Sequence, residues 1–228
     1  MKNEDKFFIG VDLGGRKKAT TGLCILKGGK DKISFSDYCR ICKDIRSTQI
    51  LKKITPYLEK TEVITVDGPL TQGKGKGLMR LFEKFLSTKV FRKERVNPLP
   101  PALRPDISLI GQEIRKELRE NGFVLDKNLI ETFVKLDRKL LPKRFILEVL
   151  KVKKLPCKTK NQKEAIICAI ISWLHFNFKT RYLGYRDGFL FLPEMTLWEK
   201  NWRRKFYQAW MSRSRLRYRY LITDVFSK

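Results

Sequence analysis

Four acidic residues stand at or near the ends of predicted secondary-structure elements, and together they could bind metal ions. They are Asp12, which ends an apolar strand in IGVDLGG; Asp67, which ends another in VITVDGPL; Glu131, in the short strand-like segment NLIETFVKL; and Glu164, in the first turn of a long apolar helix. Carboxylates are hard oxygen ligands that suit Mg²⁺ or Mn²⁺, and several can hold two ions roughly 3.5–4 Å apart for attack of water on a phosphodiester. These acids are therefore candidate metal ligands and catalytic residues.

The first seventy residues predict a meander of three strands followed by a helix and a fourth strand. Turn sequences rich in glycine separate the apolar runs at residues 7–12, 21–27 and 32–41, so that successive strands return antiparallel. Apolar residues at helical spacing predict a helix over residues 47–60, and this helix leads to the apolar run 63–66. A strand that follows a crossover helix normally lies parallel to an existing strand, here the first.

This arrangement places Asp12 and Asp67 at the same edge of the predicted sheet. Both residues end parallel strands, and ligand sites of α/β sheets lie at the carboxyl edge. Each acid also has a simpler explanation when it is taken alone: Asp67 precedes Gly and Pro as a turn former does, and Glu164 complements the dipole at the start of a helix. The equivalent positions of the two aspartates favour the functional interpretation.

Beyond residue 70 the sequence predicts a basic, irregular insertion over about residues 71–106. Its first part, TQGKGKGLMR, is rich in glycine and lysine, and residues 91–106 contain four prolines that exclude a regular helix. Helical spacing then returns in SLIGQEIRKELRENGF and in the long helix that carries Glu164, and residues 185–193 predict one strand. We predict a domain over residues 1–193 and a basic, aromatic extension over residues 194–228.

The net charge points to nucleic acid as the partner. The chain of 228 residues has 50 Lys and Arg against 24 Asp and Glu, a formal charge of +26 that indicates a polyanion as partner or substrate. The alternative is a protein with charged, solvated faces. Candidate contacts to DNA or RNA are Lys74, Lys76, Arg80, Arg92, Arg95, Arg104, Arg203, Arg204, Arg213, Arg215 and Arg217.

The extension has two possible roles that its sequence leaves open. Four aromatic residues, Trp198, Trp202, Tyr207 and Trp210, are interleaved with arginines. Basic side chains neutralise phosphates and exposed rings stack on unpaired bases, so this mixture suits nucleic acid. The same pattern is typical of a helix that docks its aromatic residues on a core and turns its arginines to solvent.

The remaining composition excludes several classes of protein. The longest apolar stretch, AIICAIISWLHF, is shorter than the roughly 20 residues that span a bilayer, and no signal-peptide pattern is present. Five cysteines, an odd number, argue against a secreted disulfide scaffold, and one histidine with a single CxxC pair does not complete a zinc site. We therefore expect a cytoplasmic protein without a membrane partner.

The order of these elements resembles the ribonuclease H-like fold, an α/β fold with a mixed sheet flanked by helices. More specifically, IGVDLGG, VDGPL, IETF, KEAIICAIISWL and DGFLFLP resemble the domain of unknown function 429 family, predicted nucleases of that fold, over roughly residues 6–193. The resemblance implies that Asp12 and Asp67 are the core metal ligands, that Glu164 and Glu131 complete the site, and that the cofactor is Mg²⁺ or Mn²⁺, as two ions. It also implies hydrolysis of DNA or RNA.

Two other functions compete with the nuclease. The same fold could bind nucleic acid without catalysis, with its acids held in salt bridges. A phosphotransferase of the actin and sugar-kinase type is also suggested, because VDLGG followed by TTGL resembles the first phosphate-binding hairpin of those proteins. That type needs a second glycine hairpin, and the later sequence supplies none.

Overall fold

A computed structural model describes residues 6–14, 20–42, 46–73, 79–213 and 220–226, with the side chains of residues 20 and 40–42 excepted. The strands are β1 (Lys6–Asp12), β2 (Thr20–Gly28), β3 (Ile33–Cys42), β4 (Thr61–Asp67), β5 (Leu129–Thr132), β6 (Thr180–Tyr185), β7 (Gly188–Pro193) and β8 (Ile222–Thr223). The α-helices are α1 (Ser47–Ile54), α2 (Leu81–Leu86), α3 (Lys89–Lys93), α4 (Pro105–Glu120), α5 (Val134–Leu140), α6 (Lys143–Val149), α7 (Lys160–Phe176) and α8 (Lys200–Met211).

The central element is a mixed five-stranded sheet with the order β3-β2-β1-β4-β5. Strands β1, β2 and β3 form the antiparallel meander, whereas β4 runs parallel to β1 and β5 runs parallel to β4. The crossover from β3 to β4 contains α1. A 3-10 helix from Thr55 to Lys60, with Pro56 near its start, follows α1 directly. This topology confirms the predicted α/β, ribonuclease H-like sheet.

Two layers of helix cover the sheet because its strands are apolar on both faces. Alternate residues of each strand point to opposite faces. Phe8 of β1 and Val63 of β4 pack against α7 on one face, whereas Val11 and Val66 pack against α1 and α4 on the other. The two faces therefore have separate cores, and the parity of a residue within its strand decides which helix it meets.

Two glycines allow the first half of α7 to lie directly on β1 and β2. A Cβ atom on Gly10 would stand 2.2 Å from the carbonyl oxygen of Ala165, and one on Gly22 would stand 2.1 Å from the carbonyl oxygen of Asn161. Any larger residue would push the helix away from the sheet. A capping box of Thr159 and Gln162 fixes the start of this helix, so its first turn lies over the end of β1.

The structure corrects two local predictions. Residues 185–193 do not form one strand: β6 and β7 pair as an antiparallel hairpin that turns at residues 186 and 187, and β8 adds to β6. Residues 91–106 are not irregular throughout, because α3 extends to Lys93 and α4 begins at Pro105. The irregular segment between them contains one 3-10 turn, Pro101–Leu103.

The C-terminal extension packs on this hairpin. Trp198, Trp202 and Phe206 are buried in a third apolar cluster with residues of α2, α3, α5, β6 and β7. The docking interpretation therefore holds for Trp198 and Trp202, whereas Tyr207 is exposed and Trp210 is half-buried. Across the described residues, no helix is long and apolar enough to cross a membrane.

Candidate functional site

The structure brings Asp12 and Asp67 together at the carboxyl edge of the sheet. The two residues are register partners at the ends of the parallel strands β1 and β4, and their side chains are hydrogen-bonded to each other. Both share the strand parity of Phe8 and Val63, so they lie on the face that α7 covers. The predicted pairing is thus present as a direct carboxyl–carboxyl contact.

Burial and neighbouring carboxylates raise the pKa values of both carboxyl groups, although hydrogen bonds from Asn161 and Asp67 oppose the rise at Asp12. The pKa of Asp12 rises from 3.8 to about 7, first because the group is buried and then because Glu164 lies nearby. The pKa of Asp67 rises well above its usual value, first through burial and then through Asp12. The backbone N–H of Val134 donates to Asp67 Oδ1 at 3.3 Å and opposes this rise. A cation bound between the carboxylates would relieve the repulsion.

The first turn of α7 supplies two polar side chains to the pair. Asn161 Nδ2 donates to Asp12 Oδ2 at 3.0 Å, which orients that carboxylate. Glu164, one turn later, is buried and forms ion pairs with Arg138 at 2.9 Å and with Lys160 at 3.8 Å. Glu164 therefore stands beside Asp12 as predicted, but two cations already neutralise it.

Glu131 has a different environment from the other three acids. Its two carboxylate oxygens each accept a hydrogen bond of 2.6 Å from the guanidinium of Arg80, and Oε2 also accepts the backbone N–H of Leu70. Arg80 binds Glu83 as well, through Nε at 3.0 Å and Nη2 at 2.5 Å. All three charged residues are buried, so Glu131 belongs to a closed ionic cluster.

Strand parity explains this difference. Glu131 is the register partner of Val66, and it shares the parity of Leu129, which packs on the α1 and α4 face. Its side chain therefore points to the face opposite Asp12 and Asp67. Glu131 and Arg80 line the same cavity as the aspartates, but they are buried and bound to each other there.

A further acid near the pair, Asp137 of α5, was missed in the sequence. It is fully buried, its pKa rises to about 8 through burial, and its charge contributes to the raised pKa of Asp67. The hydroxyl of Thr132 donates to Asp137 Oδ2, while Oδ1 has no hydrogen-bond partner among the described residues. Its position three residues after Val134 and three before Leu140, on the apolar side of a helix, was the available signal.

The donor set at this edge fits one divalent cation. Among the described residues, no group of three or more His, Cys, Asp and Glu side chains is arranged to hold a metal ion. Mg²⁺, however, is commonly bound by one or two carboxylates together with water and substrate phosphates. Asp12 and Asp67 are such a pair, and Glu164, whose Oε1 binds Arg138 and Lys160, lies beside them.

The carboxylate pair opens into a cavity of about 330 Å³ whose exposed rim is basic. Arg104, Lys135 and Lys160 line it and are exposed. Of the other predicted contacts to nucleic acid, Arg92 and Arg95 are exposed in the nearby insertion, and Lys74, Lys76, Arg215 and Arg217 lie outside the described residues. An acidic floor with a basic rim suits a phosphate-bearing ligand.

The arginines of the C-terminal extension are partly engaged within the protein. Arg203 donates to the carbonyl oxygens of Thr196 at 2.7 Å and Trp198 at 3.2 Å. Arg213 donates to the carbonyl of Trp210 and stacks over its ring at 3.8 Å. Arg204 remains exposed. These contacts stabilise the extension and leave fewer arginines for a ligand.

A larger cleft, of about 1300 Å³, opens at the opposite edge of the sheet. Three of its ionisable side chains already have protein partners: Lys6 and Glu62 form an ion pair at 2.6 Å, and His175 is bonded through both ring nitrogens to Thr180 Oγ1 and the carbonyl oxygen of Lys127. Burial lowers the pKa of His175. The smaller cavity, with its unneutralised carboxyl pair, is the better candidate for chemistry.

Comparison with known proteins adds little to this picture. No family model matches the chain, and no curated protein matches it. Two solved structures of RuvC from Thermus thermophilus, one of them in complex with a Holliday junction substrate, are similar over 75% of this chain and 95% of theirs, at 12% sequence identity and a TM-score of 0.40. The fold assignment rests on the strand order and register described above.

Proposed function

We propose that this protein is a metal-dependent nuclease that hydrolyses phosphodiester bonds of DNA or RNA at the Asp12–Asp67 pair. The observation that carries the proposal is the contact of these two carboxyl groups, one buried and one half-buried, at the carboxyl edge of the sheet, with both pKa values raised. When both groups are ionised they repel each other unless a cation lies between them, so the pair is a candidate cation site. The net charge of +26 supports a polyanionic substrate.

Each polar group of the site has a role in this proposal. Asp12 and Asp67 hold one Mg²⁺ or Mn²⁺ ion, which when bound would supply charge neutralisation at the scissile phosphate. Asn161 holds the Asp12 carboxylate in position through its hydrogen bond. The exposed Arg104, Lys135 and Lys160 bind the flanking phosphates and offset their charge.

A second ion requires Glu164 as an additional ligand. Glu164 lies near Asp12, but Arg138 and Lys160 bind it in the absence of metal. We therefore propose one ion at the aspartate pair and a second that binds only when Glu164 exchanges Arg138 for metal. Membership of the domain of unknown function 429 family also remains a proposal, carried by the short sequence motifs alone.

The second candidate function is a nucleic-acid-binding protein of the same fold without catalysis. The neutralised state of Glu164 favours it, because salt bridges then occupy one of the predicted ligands. The two functions differ in what the aspartate pair does: a nuclease needs it to bind metal, whereas a binding protein needs only the basic rim.

Cleavage assays with matched variants test the nuclease. Labelled single-stranded, duplex, hybrid and branched substrates are incubated with Mg²⁺ or Mn²⁺. We expect Asp12→Asn and Asp67→Asn to lower cleavage at least ~100-fold, equivalent to about 2.7 kcal/mol of transition-state stabilisation, while binding persists. The control is Asp31→Asn, an exposed aspartate at the opposite edge, which should cleave normally.

Metal binding gives a second readout that is independent of activity. An ion that binds only the folded state stabilises it by about 2.7 kcal/mol at a concentration 100 times its Kd. Mg²⁺ should therefore raise the midpoint temperature of thermal unfolding in the wild type and in Asp31→Asn, but not in Asp67→Asn. A wild-type protein that binds every substrate, cuts none and shows no such shift would be the binding protein instead.

A further inference from the structure

A proline-rich segment beside the candidate site carries two exposed leucines, of which Leu99 lines the cavity. This proline segment, residues 97–104, joins α3 to α4 and contains Pro98, Pro100 and Pro101. Leu99, which lines the cavity beside Asp12 and Asp67, is 52% exposed, and Leu103 is 66% exposed. Single exposed leucines are common on protein surfaces; what distinguishes these two is that they lie on one short segment, with Leu99 lining the cavity.

The segment is anchored on both sides, so the leucines project from a fixed base. Val96 before it and Ile107 after it are buried, and Pro101 within it is also buried. The backbone N–H of Leu103 donates to the carbonyl oxygen of Pro100 at 2.9 Å, which closes a 3-10 turn. Proline fixes the backbone dihedral φ, so little conformational entropy is left to lose when a ligand binds.

The charge around the segment identifies the kind of partner. Arg92 and Arg95 are exposed at the end of α3, and Arg104, at the last position of the segment, is exposed and lines the cavity. A surface with apolar tips between arginines matches nucleic acid, because the arginines neutralise phosphates while apolar side chains, leucine and proline among them, wedge between bases. A protein partner would not require these three arginines.

We propose that Leu99 and Leu103 form a wedge that stacks against bases next to the scissile phosphate. The preferred substrate is then nucleic acid with unpaired or easily unstacked bases at that point, because unstacking a paired step requires a few kcal/mol. This inference rests on the proposed function in one respect, namely that the phosphate beside the wedge is the one that is cleaved. The stacking itself requires only that nucleic acid binds in the cavity.

Base fluorescence in the presence of EDTA tests the wedge without cleavage. The full chain is titrated with duplexes that carry 2-aminopurine beside a mismatch or within a fully paired sequence, in a DNA arm and an RNA arm. We expect the fluorescence of the mismatched duplex to change on binding, and the wild type to prefer it at least fivefold over the paired one. In the double variant Leu99→Ser/Leu103→Ser, the change and the preference should be lost.

Matched variants separate the wedge from other effects. Leu109→Ser alters a leucine that is 46% exposed on α4, outside the proline segment, and it should behave as wild type. Arg104→Ala should weaken binding to every duplex and reduce the slope of log K against log salt by about 0.9. The double variant should keep the wild-type slope and the wild-type urea unfolding curve, since both leucines are exposed.

Three results would overturn the inference. They are an unchanged mismatch preference in the double variant, an equal loss of preference in Leu109→Ser, and a change in oligomeric state that shows the leucines to contact a second copy of the chain. Failure of the nuclease proposal looks different, because Mg²⁺ would then give no cleavage while the fluorescence change and its dependence on the leucines persisted. The RNA and DNA arms identify which nucleic acid the wedge accepts.

Discussion

Two groups of acids lie at the same edge of the sheet, on opposite faces, and they differ in how their charge is balanced. On the face under α7, Asp12 and Asp67 contact each other, and neither forms a salt bridge to a described basic residue. On the other face, Glu83 and Glu131 are both bound by Arg80. Both groups lie near the carboxyl edge, whereas only the second is bound by an arginine among the described residues.

The difference indicates which acids are available to a metal. Arg80 satisfies both oxygens of Glu131 with bonds of 2.6 Å, and a metal ion would have to displace a buried guanidinium to bind there. Displacement would leave a buried charge without a partner, which is strongly unfavourable. For Asp12 and Asp67 the balance is reversed, because a cation removes their repulsion. A carboxylate at a sheet edge is therefore a metal-ligand candidate only where no arginine already binds it.

The largest effect is expected from removing the cation of the closed cluster. Arg80→Ala leaves Glu83 and Glu131 buried without their shared partner, and breaking a buried ion pair in this way costs about 3–5 kcal/mol. We therefore expect the free energy of unfolding, measured by urea denaturation at pH 7, to fall by this amount. Arg104→Ala, at the exposed rim of the same cavity, should change it by less than about 0.5 kcal/mol.

A small loss for Arg80→Ala, comparable with that of Arg104→Ala, would contradict the comparison. It would mean that Glu83 and Glu131 can be neutralised by protonation or water as easily as by arginine. The two groups of acids would then differ only in the face of the sheet on which they lie.

An intermediate effect is expected from the aspartate pair in metal-free protein. The folded-state pKa of Asp12 is about 7 against 3.8 ordinarily, so between these values the unfolded chain loses a proton that the folded protein keeps. Stability from this group is therefore greatest below about pH 4 and is lost as the pH rises to about 7. If it titrated alone, three pKa units would correspond to about 4 kcal/mol.

The variant Asp12→Asn should remove this loss. In EDTA we expect its unfolding free energy at pH 7.5 to exceed that of the wild type by up to about 4 kcal/mol, with the difference shrinking toward pH 4. Urea denaturation at several pH values measures both curves, and Asp31→Asn serves as the control. Parallel curves for wild type and Asp12→Asn would show that the pair is not electrostatically strained.

The fold and the aspartate pair could be predicted from the sequence because both follow from local patterns. Apolar runs, glycine turns and a crossover helix determine the order of β1 to β4, and the positions of Asp12 and Asp67 at strand ends follow from it. The hairpin of β6 and β7 was missed because the residues of β6, which precede the turn at Arg186 and Asp187, do not form a strong apolar run.

The environment of Glu131 could not be predicted in the same way. Its face depends on the register between β4 and β5, and its partner Arg80 is 51 residues away in a segment that the sequence marks only as basic. A long-range ion pair leaves no periodic signal. The same holds for Glu164, whose neighbours Asp12 and Arg138 come from distant elements, although its place in the first turn of α7 was evident.

Glu164 is intermediate between the two groups of acids in how its charge is balanced. Removing its partner Arg138 should have the smallest effect on stability. Arg138 lies 2.9 Å from Glu164 but its side chain is 49% exposed, so Arg138→Ala should lower the unfolding free energy by less than about 1 kcal/mol. The freed carboxylate then becomes available beside Asp12. We therefore expect Mg²⁺ to bind Arg138→Ala more tightly than wild type, by up to about tenfold or 1.4 kcal/mol.

Mg²⁺ titrations of thermal unfolding measure this change. The matched control is Arg144→Ala, which removes another arginine from an ion pair with glutamate, at 2.6 Å to Glu148, in a fully solvated part of α6. It should leave the Mg²⁺ midpoint unchanged. If Arg138→Ala also leaves it unchanged, Glu164 does not join the metal site, and the aspartate pair binds its ion without a third carboxylate. If the midpoint shifts only in Arg138→Ala, arginine and metal compete for Glu164.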